Sequence, residues 1–242
     1  DVYKRQVKGC RHCGKTTSIL DFAKKEYAHV VYLNFQEKPD YAAIFRDSVD
    51  VNYLVMLITA LVGPEAVFEP YRTVLILDEV QECPEARSAL KAFKMDGRYD
   101  VIAAGSLLGV KGYGKEPAPI AVGCETVVNM VPLDFEEFLW ANGITTPVLD
   151  MLHQSLDKET PVPEALHLRL NELLRQYALV GGLPEVVETY VQTHDINAVL
   201  EKQQAILRDY EENLFVDVNK RARAKLKTVL DAVPLQLNKE NK

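Results

Sequence analysis

An α/β fold, with a parallel doubly wound sheet followed by a helical region, is what this 242-residue sequence predicts, and three observations predict it. Short strand-like apolar runs alternate with helical stretches through the first 139 residues, the pattern of a parallel sheet with crossover helices. A glycine-bearing turn opens the first helix with Gly9, Cys10, Arg11, His12, Cys13, Gly14, Lys15 and Thr16, spelling G-x-x-x-x-G-K-T. Finally, Thr73-Val74-Leu75-Ile76-Leu77-Asp78-Glu79 runs from apolar residues into two acids. That is how a buried parallel strand delivers carboxylates to a crevice at its C-terminal edge.

The glycine-bearing turn names a ligand. Gly9 and Gly14 let the backbone wrap tightly, so that N–H groups from Cys10 to Thr16 can point at a β-phosphate. Lys15 is placed to bridge β- and γ-phosphates and the Thr16 hydroxyl to ligate an accompanying Mg²⁺, with Thr17 completing the turn. The helix expected over 15–27 shows an apolar face of Ile19, Leu20, Phe22 and Ala23 and presents the positive end of its dipole to the anion. The preceding segment is a poorer strand. Residues 1–6 alternate weakly, carry several charges and read as foreign sequence at the edge of a fragment, so they are left out of the fold and the first strand is expected to be truncated or altered. Cys10 and Cys13 also spell C-x-x-C, but no second pair follows, and the loop itself accounts for both positions.

Residues 30–35, Val-Val-Tyr-Leu-Asn-Phe, form a second strand, and a helical region over about 41–61 is closed by Gly63-Pro64. Next comes the acid-ended strand, a Walker B pattern. Asp78 is placed to hold Mg²⁺ through its water shell and Glu79 to polarise the water that attacks a γ-phosphate. The spacing between Lys15 and Asp78 suits the additional-strand class of P-loop ATPases, in which one more strand lies between the phosphate-loop strand and the Walker B strand. Residues 101–106 supply it, for a sheet order of 5-1-4-3-2, and Ser106 at its end either senses the γ-phosphate or caps a turn. A loop with two prolines spans 109–123, residues 125–131 read as a fifth strand, and Asp134 caps a helix that follows.

From about Pro147 only helical periodicity remains, in 166–178, 185–191 and 197–214. These helices are expected to form a lid over 147–218, after an ATPase core over 1–146. Residues 220–227 are strongly basic, either a solvated helix face or a nucleic-acid contact. The chain then stops just after a helix, so 219–242 reads as the cut beginning of a winged-helix-like segment.

With 48% hydrophobic residues the chain can bury a sizeable core, and a formal net charge of −7 argues against a generally basic nucleic-acid surface. No secretory signal is visible, and the longest apolar run, 53–62, is too short to span a bilayer. Four cysteines in a chain of this length suit a reducing cytoplasm better than a disulfide framework.

Residues 9–17, 30–35, 75–84, 104–109, 132–138 and 180–185 together resemble the AAA-like P-loop ATPases of bacteria and archaea, in which an AAA domain precedes a C-terminal domain of unknown function. The resemblance implies ATP and Mg²⁺ as ligands, Asp78 and Glu79 as the Walker B pair, and Ser106 as a sensor. It further implies that Gly182 and Pro184 pack near the adenine and ribose, although the same residues also suit a plain helix–turn–helix corner. Two departures stand out: Cys13 and Cys124 occupy places that are often basic or polar in the family. The leading expectation is Mg²⁺-dependent ATP hydrolysis driving a conformational switch, with oligomerisation allowed. The alternative is a slow nucleotide-gated module or scaffold that holds ATP or ADP and contacts DNA or protein through an absent C-terminal part. Nucleotide kinase activity fits the Asp78-Glu79 pair less well.

Overall fold

The computed structural model describes residues 5–106, 126–215 and 218–237. By its internal contacts the chain divides into two compact units, Asp1–Leu133 and Asp134–Lys242.

The first unit is a five-stranded sheet of β1 (Arg5–Gly9), β2 (His29–Asn34), β3 (Thr73–Asp78), β4 (Asp100–Ser106) and β5 (Thr126–Met130). The strands are all parallel and ordered β2-β3-β4-β1-β5. Read from the other edge this is 5-1-4-3-2, as the motif spacing predicts, with β4 as the additional strand between β1 and β3. All six residues of β3 are buried, because both faces of the sheet are covered. Leu75 and Leu77 join a core with Leu33, Phe35, Leu54, Ile58 and Phe93 on one side. Val74 and Ile76 point the opposite way, toward Ile19, Ala23 and Ala104, as the period-2 alternation of a strand requires.

Three helices serve this sheet: α1 (Lys15–Glu26), α2 (Val51–Val62) and α3 (Pro84–Asp96). The helical region expected over 41–61 is in fact two pieces, a 3-10 helix at Pro39–Phe45 and then α2. The physical reason is local: the Asp50 side chain accepts the Tyr53 N–H at 2.9 Å and so starts a new helix there. Arg5 and Gln6, left out of the fold by the sequence reading, belong to β1 and pair with both β4 and β5. Gln6 is 5% exposed, and its Oε1 has no hydrogen-bond partner among the described residues. A central parallel strand ordinarily holds an apolar side chain at such a position.

The second unit is helical, with α4 (Phe135–Ala141), α5 (Thr146–Asp157), α6 (Glu164–Val180), α7 (Pro184–Thr193), α8 (Ile196–Phe215) and α9 (Lys220–Leu237). Asp134 caps α4 in a reciprocal box with Glu137, each side chain accepting the other residue's N–H at 2.9 Å. Phe135 and Phe138 then pack on Tyr177 of α6, and Phe138 stacks on Tyr190 of α7. These rings tie α4 to the later helices. No helix among the described residues is long and apolar enough to cross a membrane. The loop at 109–123 and Cys124 lie outside the described residues.

Candidate functional site

The site is built where β1 stops. Gly9 faces Met130 across the β1–β5 ladder and Ser106 across β1–β4, so the chain leaves the sheet through a narrow gap. A Cβ on Gly9 would lie 2.4 Å from the Met130 carbonyl oxygen and 2.8 Å from Cys13 Sγ, so only glycine fits here without movement. The turn then passes His12 at φ 62° and Gly14 at φ 88°, both left-handed. With Gly14 as its N-cap, α1 begins at Lys15, and its first N–H groups have no intrahelical acceptor by construction. Such a turn is an anion cradle before any side chain is counted.

Lys15 is buried and folds back over the loop. Its Nζ donates to the carbonyl oxygens of Cys10 at 2.7 Å and Gly9 at 3.2 Å, and lies 4.0 Å from Cys13 Sγ. Burial pushes the Cys13 thiol above its ordinary range, although the Lys15 charge pulls the other way. A thiol held protonated is a poor nucleophile and metal ligand. Among the described residues no group of three or more His, Cys, Asp or Glu side chains could hold a metal ion by itself.

Asp78 ends β3 with 1% exposure, and its carboxylate is fully engaged. Oδ2 accepts the Thr16 hydroxyl at 2.7 Å and the Tyr32 hydroxyl at 2.9 Å, while Oδ1 accepts the Glu79 N–H at 2.9 Å. Asn34 in turn donates to the Tyr32 oxygen at 3.1 Å. Burial first, and the adjacent Asp78 carboxylate after it, hold the Tyr32 phenol well above its ordinary range, against the Asn34 hydrogen bond that lowers it. The hydroxyl is thereby kept as a donor to Asp78. Thr16 and Asp78 thus bring two hard oxygens together at the mouth of the anion cradle. That donor set suits Mg²⁺, which binds through one or two protein oxygens and takes the rest of its shell from water and phosphate.

Glu79 follows in a left-handed conformation, φ 54° and ψ 45°, which turns the chain sharply out of β3 into a 3-10 turn, Val80–Glu82. Its carboxylate Oε2 accepts a hydrogen bond from Gln81 Nε2. The first unit therefore gathers Gly9, Cys10, Cys13, Gly14, Lys15, Thr16, Asp78 and Glu79, with Arg11 and His12 on the loop between them. Thr17 is on α1 and exposed. Ser106 ends β4 beside Gly9. Gly182 and Pro184 belong to the second unit, at the α6–α7 corner.

Tyr32, Asn34 and Gln81 join the candidate site through their hydrogen bonds, and sequence reasoning assigned them no role there. A signal existed for the first two: Tyr32 and Asn34 alternate with the buried Val31 and Leu33, and so share one sheet face next to Asp78, the acid that ends β3. Gln81 falls within 75–84, one of the stretches that carry the family resemblance, but its polar side chain after the two acids points to no particular partner.

Comparison with known proteins adds the following. A family model described as an AAA domain matches residues 5–139, and one described as a domain of unknown function (DUF8612) matches residues 171–242. A search of curated proteins finds no match. Among solved structures the chain is similar to the Aeropyrum pernix ORC2 protein, solved as ADPNP-ADP complexes, at 14% identity and a TM-score of 0.38, covering 61% of this chain and 46% of that one. It is also similar to Drosophila ORC bound to DNA, at 14% identity, TM-score 0.46, covering 96% and 63%. A third similarity is to C. elegans PCH-2, at 13% identity, TM-score 0.44, covering 84% and 60%. The chain thus spans 46 to 63% of the length of these solved chains.

Proposed function

The chain belongs to the AAA domain family, matched over residues 5–139, and from that premise we propose that it binds ATP with Mg²⁺ and hydrolyses it, using the energy to switch its helical unit between states. A nucleotide-binding, ATPase-type role follows from the family. The finer reading rests chiefly on one observation, the Thr16 hydroxyl 2.7 Å from a buried Asp78 carboxylate at the mouth of the phosphate loop.

Each residue has a task in this reading. The loop N–H groups from Cys10 to Thr16 hold the β-phosphate, and Lys15 exchanges its loop carbonyls for β- and γ-phosphate oxygens. Thr16 and Asp78 would hold Mg²⁺, which would supply neutralising charge for the phosphate oxygens. Glu79 accepts a proton from the water that attacks the γ-phosphorus. The bond to the β–γ bridging oxygen breaks, and ADP leaves with its electron pair. Ser106 contacts the γ-phosphate.

Replacing Glu79 by Gln in the 242-residue chain tests the reading. Phosphate release is expected to fall by a factor on the order of 10²–10⁴, while ATP binding persists. Turnover unchanged by that substitution sinks the hydrolysis proposal. Tight ATP binding with no turnover in the parent chain supports instead a nucleotide-gated binding module that engages DNA or protein.

A further inference from the structure

We infer that Gln81 is a positioning residue for Glu79, seated in a notch that exists only because residue 105 is glycine; the inference rests on the hydrolysis reading above. The side chain of Gln81 reaches from the 3-10 turn after β3 back across the end of the sheet. Its Nε2 donates to Glu79 Oε2. Its Oε1 is buried and has no hydrogen-bond partner among the described residues.

A carboxamide with one satisfied end and one orphaned end is informative. Left to itself, a buried amide turns to satisfy its oxygen, because an unpartnered buried acceptor is costly. Turning this one by half a rotation would set its oxygen against the Glu79 carboxylate and lose the only polar contact it makes to that group. The amide orientation is therefore dictated by Glu79.

The seat is equally specific. A Cβ on Gly105 would lie 2.6 Å from Gln81 Oε1, whereas the next neighbour, Val80 Cγ2, is at an ordinary 3.6 Å. Gly105 sits on β4, the strand between β1 and β3, so the notch opens at the centre of the sheet beside the ends of the phosphate-loop and acid-bearing strands. Glu79 lies at a left-handed residue just outside β3, where no strand side chain among the described residues hydrogen-bonds its carboxylate. Gln81 supplies the fixing contact, holding the carboxylate in one orientation for the attacking water.

The experiment compares Gln81→Met, which keeps length and volume without hydrogen bonds, with Glu79→Gln, the double variant and Gly105→Ala, all in the full 242-residue chain. Gln81→Met is expected to lower kcat about tenfold, well short of the 10²–10⁴ a general base supplies, with KM for ATP within about twofold of the parent. In the double variant it lowers kcat no further, because a residue acting through Glu79 has nothing left to position. Gly105→Ala meets only the end of a flexible side chain, so it displaces Gln81 and reproduces the kcat loss while the melting temperature holds. A Gln81→Met kcat that is unchanged or raised, or a loss that multiplies with that of Glu79→Gln, overturns the inference. A slow Gln81→Met beside a Gly105→Ala of parental kcat overturns the role of the notch. Failure of the hydrolysis reading is told apart by Glu79→Gln alone: if that variant turns over normally the reading falls, and if it is slow while Gln81→Met is fast only the present inference falls.

Discussion

Replacing Gly9 by Ala separates a phosphate cradle from a loop that merely contains glycine. The added Cβ would sit 2.4 Å from the Met130 carbonyl oxygen, where ordinary contact begins at 3.4 Å. The carbonyl is backbone on β5, paired residue for residue with β1, so it cannot swing aside as a side chain would. The strands must part by about 1 Å, a strain of roughly 1–3 kcal/mol. The same movement displaces the Gly9 carbonyl that anchors Lys15 Nζ at 3.2 Å. A misplacement of about 1 Å at such a site costs on the order of 10²-fold in turnover. Urea denaturation reads the first effect, and fluorescence anisotropy with a labelled ADP together with phosphate release reads the second. A variant that matches the parent within about 0.5 kcal/mol and binds nucleotide equally well would falsify the cradle argument.

Two further outcomes are expected. Gln6→Val removes a buried acceptor that has no partner among the described residues from the middle of the sheet and leaves the backbone ladder intact, so the urea midpoint should rise by the equivalent of about 1–2 kcal/mol; a lower midpoint counts against β1 being buried as described. Alkaline pH should destabilise the first unit through Cys83, whose thiol burial pushes up to about 11 from an ordinary 9.0. Because the folded-state value is the raised one, that contribution is complete below pH 9 and is lost as pH climbs toward 11, on the order of 2 kcal/mol. Stability measured in reductant at pH 8 and 10.5 should differ less in Cys83→Ala than in the parent, and an identical pH dependence refutes the assignment.

Much of the first unit was legible in sequence because its elements are locally self-consistent. The apolar run of β3 ends in acids, Gly14 must adopt a left-handed turn, and Pro132 and Asp134 punctuate the approach to α4. The strand order followed from motif spacing. What escaped is what depends on neighbours distant in sequence or on competing local signals. Arg5 and Gln6 have poor strand character, yet two flanking strands enforce it, an instance of tertiary context overriding propensity. The Asp50 cap lies in the polar run Arg46-Asp47-Ser48-Val49-Asp50, a helix-start signal that the single helical region expected over 41–61 passed across. Tyr32 reaches Asp78 only through the β2–β3 register, and the seat of Gln81 requires knowing that Gly105 lies beside it. The roles assigned to Gly182, Pro184 and Ser106 rest on motif alone.

The strand order also sets a timetable for the nascent chain. The phosphate loop is encoded ahead of β2 to β5, but β1 has no sequence-adjacent partner: its neighbours are β4 and β5, and Cys13 meets Met130 across 117 positions. Closing so long a segment costs entropy before any contact repays it. While β2, β3 and their helices can pair as they emerge from the ribosome, the loop stays unsupported until synthesis has passed Met130. Support for the loop consequently waits for β5, and a ribosome-bound chain stalled before Met130 should carry the whole G-x-x-x-x-G-K-T motif and still fail to retain nucleotide.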